Sequence, residues 1–290
     1  MAVSGGPDSL ALLLLAVGAR PGSIEAASVD HGLRPGSAAE AAMVAKTCAA
    51  LGVPHATLKV RVAPGNLQQE ARMARYRALA EWQKERGLAA LLTAHHADDQ
   101  AETLLMRLNR SSGLGGLAGI RPSGRNPASG DKVLRPLLGW RKAELERIVR
   151  DCGLDPVADP SNLADRFDRV RIRKALAGAD WIDPAGLAQS AAWLAEAEAA
   201  LVHYAAAEWD KRVAVAAGTI RYRPTPEAPR ETRLRILVRT IEQLGGQMPR
   251  LSQVADLLDA LERGGAGNIA GVLARSERGE WVLQPEPPRR

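Results

Sequence analysis

The sequence predicts an α/β fold, in which a doubly wound, mainly parallel sheet is followed by a second, smaller and mainly helical domain. Short apolar runs alternate with helical patterns over about the first 150 residues, and this alternation is typical of parallel sheets. Long helical patterns dominate beyond residue 185. A stretch at 177–185 that contains Gly, Asp and Pro separates the two regions, so we place the domains at 1–180 and 181–290.

The first domain is expected to contain five strands with helices between them. The apolar runs predict strands at 2–3, 24–29, 55–62, 88–93 and 132–134. Helices are predicted to begin at Pro7, at Ser37 with a capping-box pattern, and near Asp98, and another spans 67–86 before Gly87. Ligands of such sheets bind beyond the carboxyl ends of the strands, and the polar motifs lie at those ends.

Two segments of the first domain interrupt the alternation. The glycine-rich stretch 111–119 is expected to be a mobile loop, and 121–131 is expected to be irregular. For the second domain we predict helices at 186–214, 230–244 and 250–262, with short strands at 219–223, 268–274 and 281–283.

Composition narrows the functional classes. The chain has 290 residues, a formal charge of +6 and a pI near 9.7, and this balance favours an anionic partner. Cys48 and Cys152 are far apart and form no C-x-x-C pair, which argues against a zinc ribbon, an iron–sulfur cluster or a redox dithiol. No signal-peptide pattern is visible and the apolar run 10–17 is too short to span a bilayer, so we expect a cytoplasmic protein with no membrane partner.

The first motif is Ser-Gly-Gly-Pro-Asp-Ser at 4–9, between an apolar strand and an apolar helix. Glycine lets backbone N–H groups approach an anion, and the positive end of the helix points at the same place. Mg²⁺ binds phosphate oxygens plus one or two carboxylates, so Asp8 is a candidate ligand. A plain strand-to-helix turn explains two glycines, but it does not explain the whole motif. The phosphate-binding candidates are Ser4, Gly5, Gly6, Pro7, Asp8 and Ser9.

The second motif is Thr-Ala-His-His-Ala-Asp-Asp-Gln-Ala-Glu-Thr at 93–103, where the fourth strand gives way to a helix. Asp98 or Asp99 can cap that helix, which accounts for one carboxylate only. Asp99 and Glu102 are three residues apart and share a helix face, with His95 just before it. Such a set could bind Mg²⁺, an ammonium group and a phosphate. Zinc fits less well, because a compact tetrahedral ligand set is missing.

Several motifs together resemble one family. Residues 4–9 resemble the pyrophosphate loop of the N-type ATP pyrophosphatases. With 94–103, the chain is similar to the tRNA(Ile)-lysidine synthetase family over roughly residues 1–175. The other matching segments, in chain order, are 29–34 (Val-Asp-His-Gly-Leu-Arg), 66–72 with Arg75-Tyr76, 135–138 (Arg-Pro-Leu-Leu) and 159–162 (Asp-Pro-Ser-Asn).

The resemblance implies an adenine nucleotide alpha hydrolase-like fold and a ligase reaction. The enzyme would use ATP to adenylate the C2 oxygen of the wobble cytidine, position 34, in tRNA(Ile) with a CAU anticodon. The ε-amine of L-lysine would then displace AMP and form lysidine. Residues 1–180 would be the pyrophosphatase domain, and 181–290 the tRNA-recognition domain. The implied cofactors are ATP and Mg²⁺. A homodimer is also expected, although the sequence leaves the oligomeric state open.

The resemblance also implies roles for the candidate residues. Asp8 and Asp99 would hold Mg²⁺, and His95 would contact phosphate or the leaving group. Asp99 and Glu102 would position the lysine ammonium. Arg75 would neutralise the activated intermediate, although a solvated helix charge also explains it.

Two further groups of residues have candidate binding roles. Asp30 and His31 follow a strand near the expected adenine, where a plain strand-end turn explains them equally well. Residues 107–174 contain fifteen Lys and Arg against eight Asp and Glu. Runs of charge are usually solvated faces, but beside a mobile loop this one favours an RNA-backbone surface. Its RNA-binding candidates are Arg110, Arg166, Arg169, Arg171 and Arg173.

Two other functions compete with this one. A related tRNA-thiolation enzyme would share the pyrophosphate loop, but Cys48 and Cys152 are poorly placed for sulfur chemistry. A non-catalytic ATP-binding module would also share the loop, but it would not require Asp99 and Glu102.

Overall fold

The computed structural model describes residues 1–32, 36–157, 168–245 and 249–286. The chain forms two compact units, residues 1–193 and 194–290, and the division falls within one long helix, α8 (Pro184–Arg212). The assignment of separate functions to two domains stays a prediction.

The first unit alternates helices and strands as the sequence predicts. Its helices before α8 are α1 (Pro7–Ala19), α2 (Ser37–Ala50), α3 (Leu67–Glu85), α4 (Ala97–Leu108), α5 (Leu114–Leu117), α6 (Lys142–Asp151) and α7 (Asp168–Ala177). Its strands are β1 (Ala26–Asp30), β2 (His55–Lys59), β3 (Leu91–Leu92), β4 (Ser123–Arg125) and β5 (Lys132–Leu134).

Residues 1–3 join two small sheets into one. β1 pairs with β2 and β3 pairs with β5, both in parallel. The Val3 amide donates to Ala27 in β1 at 2.9 Å, and the Ala2 amide donates to Leu92 in β3 at 3.0 Å. The order is therefore β2, β1, residues 1–3, β3, β5 and β4. The mainly parallel sheet predicted for this domain is confirmed.

The strand order reverses between residues 1–3 and β3. We call the region beyond the carboxyl ends of these two strands the crevice. The chain leaves residues 1–3 toward β1 on one side and later returns on the other side as β3. In open α/β sheets, ligands bind where the strand order reverses, beyond the carboxyl ends of the strands. Residues 4–9 and 93–99 follow the two strands that meet at this point.

The core beneath the crevice is aliphatic. The α1 leucines Leu10, Leu12 and Leu13 are buried, and α1 packs against α6 through Leu145 and Val149. Burying apolar side chains contributes about 1.5–3 kcal/mol each, so this contact fixes where α1 begins relative to the sheet.

The structure differs from expectation at two segments. β4 lies within 121–131, which was predicted to be irregular, and pairs antiparallel with β5. Its sequence, Ser-Gly-Arg, has no alternation of apolar and polar residues that would indicate a strand. It is a short edge strand that forms through backbone hydrogen bonds. A short helix, α5, lies within the glycine-rich stretch 111–119.

The described part of the second unit pairs helices with a sheet larger than the sequence indicated. Five strands run antiparallel in the order β6, β7, β10, β9 and β8. They are β6 (Val213–Ala216), β7 (Thr219–Tyr222), β8 (Ala266–Ile269), β9 (Val272–Glu277) and β10 (Glu280–Pro285). Helices α9 (Arg230–Gly245) and α10 (Leu251–Glu262) pack on it.

The missed strands are explained by turn chemistry. Residues 213–214 were assigned to a helix, but β6 turns into β7 through Ala217 and Gly218, which both have positive φ. Two-residue hairpin turns with positive φ at both positions match the twist of the paired strands. Ala270-Gly271 and Arg278-Gly279 repeat the pattern.

No helix in the described ranges combines the length and the apolar character that crossing a membrane requires.

Replacing Leu145 by alanine tests the packing of α6 on α1. Leu145 is 0% exposed, so Leu145→Ala is expected to lower the free energy of unfolding by about 2–5 kcal/mol through lost burial and a cavity. The measurement is denaturant unfolding followed by circular dichroism. Leu108→Ala is the control, because Leu108 is 51% exposed and should change stability by about 0.5 kcal/mol or less. Equal effects of the two substitutions would contradict this packing.

Candidate active site

The loop at 4–9 is shaped to present backbone amides. Pro7 begins α1 as predicted, and Gly6 precedes it without a side-chain cap, so the first amides of the helix stay open. The Ser4 amide donates to Ser9 Oγ at 3.1 Å, and Ser9 Oγ donates to the Gly6 carbonyl at 2.9 Å. Ser9 therefore stabilises the loop in a fixed shape.

Gly5 is required at its position for two reasons. Its φ of +86° is in the region that favours glycine. An added Cβ would lie 3.1–3.3 Å from side-chain atoms of Val157, Met43 and Val44. The Val157 amide also donates to the Gly5 carbonyl at 2.9 Å, so the loop is closely packed from behind.

His96 caps α4, which corrects the expectation that Asp98 or Asp99 does so. The Asp99 amide donates to His96 Nδ1 at 3.3 Å, and the His96 amide donates to Asp99 Oδ2 at 3.1 Å. The imidazole nitrogen serves as the cap acceptor, and Asp99 completes a capping box from the third helical position.

The same histidine links the two sequence motifs. His96 Nε2 lies 3.5 Å from Asp8 Oδ2 and 3.5 Å from Asp99 Oδ2, so these two carboxylates approach a common point. Burial alone would lower the pKa of His96, but the hydrogen bond with Asp8 and the charge of Asp99 raise it above its usual value. The loop and the acidic segment thus meet at the crevice.

Asp8 has a free acceptor at this point. Its Oδ1 is buried and has no hydrogen-bond partner in the described part of the chain. Within those ranges, no three His, Cys, Asp or Glu residues are grouped to hold a metal. Mg²⁺ bound to nucleotides needs only one or two carboxylates, with phosphate oxygens and water completing the shell. Asp8 and Asp99 fit that donor set.

Asp98 faces a different partner. Its carboxylate accepts two hydrogen bonds of 3.2 Å from the Arg141 guanidinium and one of 2.8 Å from the Lys142 amide. These contacts hold the pKa of Asp98 below its usual value against the opposing effect of burial. Asp98 therefore ties the start of α4 to the start of α6.

Asp99 and Glu102 are bound by arginines of α7. Arg169 donates through Nε to Glu102 at 2.6 Å and through Nη2 to Asp99 at 2.8 Å. Arg173 donates to both oxygens of Glu102, at 2.6 and 3.2 Å. Glu102 is only 2% exposed, so two guanidinium groups compensate its burial. The carboxylates expected to bind an ammonium group thus already hold cations, which come from the predicted RNA surface.

His95 lies on the other side of the helix start. Its Nδ1 is 3.0 Å from Thr93 Oγ1, and the residue lines a cavity of about 440 Å³ together with several arginines. Burial lowers the pKa of His95 to about 4, and the charge of Arg135 adds to this effect against that of Asp99. His95 is therefore neutral near pH 7.

Asp30, His31 and Arg75 form a separate group. Asp30 accepts a hydrogen bond of 2.9 Å from the Gly32 amide, as a strand-end turn requires. Burial and the charge of Arg75 lower the pKa of His31. Burial also lowers the pKa of Arg75, whose guanidinium lies 5.8 Å from the centre of the Tyr76 ring.

Of the three other arginines predicted to contact RNA, two lie within the described residues. Arg110 and Arg171 are exposed, and both pair with Asp168, Arg110 at 2.8 Å. Arg166 lies outside the described residues, as do motif residues 33–34 and 159–162.

Four residues for which the sequence indicated no role lie at the crevice (His96) or line the cavity beside it (Arg72, Arg121 and Arg135). His95 and His96 are adjacent in the sequence, and the sequence alone does not show which of the two rings faces the loop. Arg72 and Arg135 lie within matching motifs, and this is a signal that could have identified them; Arg121 had none.

Comparisons with known proteins agree with this arrangement. The model of the PP-loop domain family matches residues 1–179. A tRNA(Ile)-lysidine synthase from Novosphingobium aromaticivorans is 48% identical over all of this chain and 89% of its own length. One from Zymomonas mobilis is 42% identical over the same shares of each chain.

A solved structure shares the fold. It is a U34-tRNA thiolase from Methanococcus maripaludis, 18% identical, with a TM-score of 0.56 over 68% of this chain and 69% of its own. This fold, the glycine loop that meets the acidic segment, and the full-length similarity have one explanation: the chain belongs to the tRNA(Ile)-lysidine synthase family and contains its PP-loop domain.

Proposed function

We propose that the protein uses ATP to activate the wobble cytidine of tRNA(Ile) with a CAU anticodon and then joins lysine to it. The single observation that carries the proposal is the meeting of Asp8 and Asp99 at His96, beyond the ends of adjacent strands. This contact supports the proposal that the phosphate loop and the acidic pair act together.

ATP would bind with its phosphates on residues 4–9. Open amides and the helix dipole of α1 stabilise negative charge there. Asp8 and Asp99 would hold Mg²⁺, which would help to stabilise the charge that develops on pyrophosphate. We assign His95, whose ring is neutral near pH 7, to a contact with phosphate or the leaving group.

The first step forms a bond between the C2 oxygen of cytidine and the α-phosphorus of ATP, and pyrophosphate leaves. In the second step the lysine ε-nitrogen bonds to C2, and the C2–O bond breaks so that AMP departs with the oxygen. The attacking amine loses a proton to a nearby base or to water. We assign Arg75 to neutralising the activated intermediate, and Asp30 and His31 to the adenine side.

Lysine would be recognised by Asp99 and Glu102. A buried carboxylate strongly favours a cation, and Glu102 is already arranged to bind one, as its contacts with Arg169 and Arg173 indicate. The incoming ammonium group would therefore replace part of an existing ion pair. The RNA would contact the exposed arginines Arg110 and Arg171, along with Arg166, Arg169 and Arg173. The homodimer and the cytoplasmic location stay predictions.

The direct test supplies ATP, labelled lysine and tRNA(Ile) with a CAU anticodon. Label that enters the RNA supports the proposal. Pyrophosphate release that requires a sulfur donor instead of lysine would indicate thiolation. An enzyme that binds ATP without any turnover would indicate a nucleotide-binding module.

Cysteine content favours lysine over sulfur as the second substrate. Iron–sulfur clusters are held by several cysteine thiolates. This chain has two cysteines; Cys48 is buried in the core beneath the loop, and Cys152 is exposed after α6.

Removing one carboxylate from the crevice tests the magnesium assignment. In Asp8→Asn and in Asp99→Asn, the increase in ATP affinity caused by Mg²⁺ should largely disappear, because an amide binds the ion more weakly. Lysine incorporation should fall by roughly a hundredfold or more. Calorimetric titration of ATP with and without Mg²⁺ provides the first readout.

Asp151→Asn is the matched control, because Asp151 is exposed at the end of α6. Both site variants would contradict the assignment if their ATP affinity kept its full dependence on Mg²⁺.

Neutralising Glu102 tests the lysine assignment. Glu102→Gln should raise the KM for lysine about tenfold or more, because a charge-assisted contact with the ammonium is lost. Pyrophosphate release that depends on tRNA should persist, because activation precedes lysine attack. The measurements are steady-state kinetics with varied lysine, and the pyrophosphate released.

Glu146→Gln is the control, an exposed residue of α6 whose contact with Lys142 is 3.8 Å long. An equal loss of pyrophosphate release and lysine transfer in Glu102→Gln would show that Glu102 only anchors Arg169 and Arg173.

A further inference from the structure

A second anion site is built beside the acidic crevice. The residues that line the cavity of about 440 Å³ include His95 and four arginines, Arg72, Arg121, Arg135 and Arg169. Among the described residues that line it, none is acidic. Its volume is in the range of small-molecule sites, large enough for a nucleotide unit.

Arg135 is held in place at this cavity by its contacts. Arg135 Nη1 donates to the Arg121 carbonyl at 2.9 Å, and Arg135 Nε is buried with no hydrogen-bond partner in the described ranges. A Cβ on Gly124 would lie 3.0 Å from Arg135 Nη1, so glycine leaves room for the guanidinium. The side chain of Arg121 likewise has no described hydrogen-bond or ion-pair partner.

The rim of the cavity is also fixed. Gln100 is buried, donating to the Ile120 carbonyl at 2.9 Å and accepting from the Ile120 amide at 2.6 Å. Gly119 has a φ of +62°, and a Cβ there would lie 2.5 Å from Gln100 Oε1. The segment that carries Arg121 is thus anchored to α4, the helix that carries Asp99 and Glu102.

The concentration of positive charge is unfavourable without an anion. Arg169 is partly compensated by Asp99 and Glu102, whereas Arg121 and Arg135 have no described carboxylate partner. Guanidinium groups form bidentate contacts with phosphate, and RNA phosphates are diesters with one charge each. The ATP phosphates already have the loop at 4–9.

We propose that this cavity binds the phosphodiester next to the reacting nucleoside of the RNA substrate. The proposal rests on the proposed function and adds to it a subsite formed by Arg72, Arg121 and Arg135. A ligand here lies beside His95 and Arg169, which border the acidic crevice, so it would place the target base at the reaction site. Pyrophosphate, the other phosphate-bearing species, is the alternative occupant that the test must separate.

The test is a thermodynamic cycle between protein and RNA. Wild-type protein and Arg121→Gln are titrated with tRNA(Ile) that has either natural linkages or one neutral methylphosphonate adjacent to the wobble cytidine, on its 5′ or 3′ side. Arg121→Gln should weaken binding of the natural tRNA about tenfold, because a charge-assisted contact is lost. The slope of log affinity against log salt should fall by about 0.7–0.9, the value for one phosphate contact.

The cycle identifies the linkage. At one of the two positions, the methylphosphonate should weaken wild-type binding by a similar factor and should add no further loss in Arg121→Gln. Arg135→Gln should behave in the same way. Arg20→Gln, at an exposed arginine after α1 and outside residues 107–174, is the matched control and should keep wild-type affinity and salt slope.

Three results would overturn the proposal. The first is additive losses at both linkages, and the second is an Arg121→Gln protein whose RNA affinity and salt slope match those of Arg20→Gln. The third is loss of inorganic pyrophosphate binding in Arg121→Gln with RNA binding unchanged, which would assign the cavity to the leaving group. ATP affinity and thermal unfolding of each variant separate a specific loss from misfolding. A separate measurement tests the proposed function. That function is refuted if the wild-type protein incorporates no lysine into the tRNA.

Discussion

The position of residues 1–3 in the middle of the sheet is the constraint on which the rest of the structure depends. Hydrogen bonds from this segment to β1 and to β3 set two strand ends side by side. The loop that follows the first strand and the acidic segment that follows the second must then meet. His96 lies where the two segments meet, because its ring contacts a carboxylate from each motif.

Charge compensation is the second constraint on the site. Glu102 is buried, and a buried carboxylate without a partner is strongly destabilising. Arg169 and Arg173 supply that partner from α7, and Arg141 does the same for Asp98. The acidic cluster is therefore stable before any substrate arrives, and its binding energy for a cation is partly used within the protein.

The sequence predicted the elements that depend on local chemistry. The glycine loop, Pro7 at the start of α1 and the strands of the parallel sheet follow from spacing and turn residues, and all are present. The N-cap of α4 is His96 rather than Asp98 or Asp99, because the helix already begins at Ala97 and the Asp99 carboxylate accepts from the His96 amide instead. Contacts between Glu102 and Arg169 could not be predicted, because 67 residues separate them and neither pattern indicates the other. Turn geometry at Ala217-Gly218 was a local signal for β6, but an alanine-rich run concealed it.

Arg169 connects the two proposed binding sites through one side chain. It binds Asp99 and Glu102 on one side and lines the arginine cavity on the other. A ligand that draws its guanidinium toward either side changes the electrostatic potential at the other. If the crevice binds the amino acid and the cavity binds the nucleic acid, thermodynamic linkage makes such an effect reciprocal, and each ligand alters the affinity for the other by the same factor. A small displacement of this one guanidinium would be sufficient to couple the binding of the two substrates.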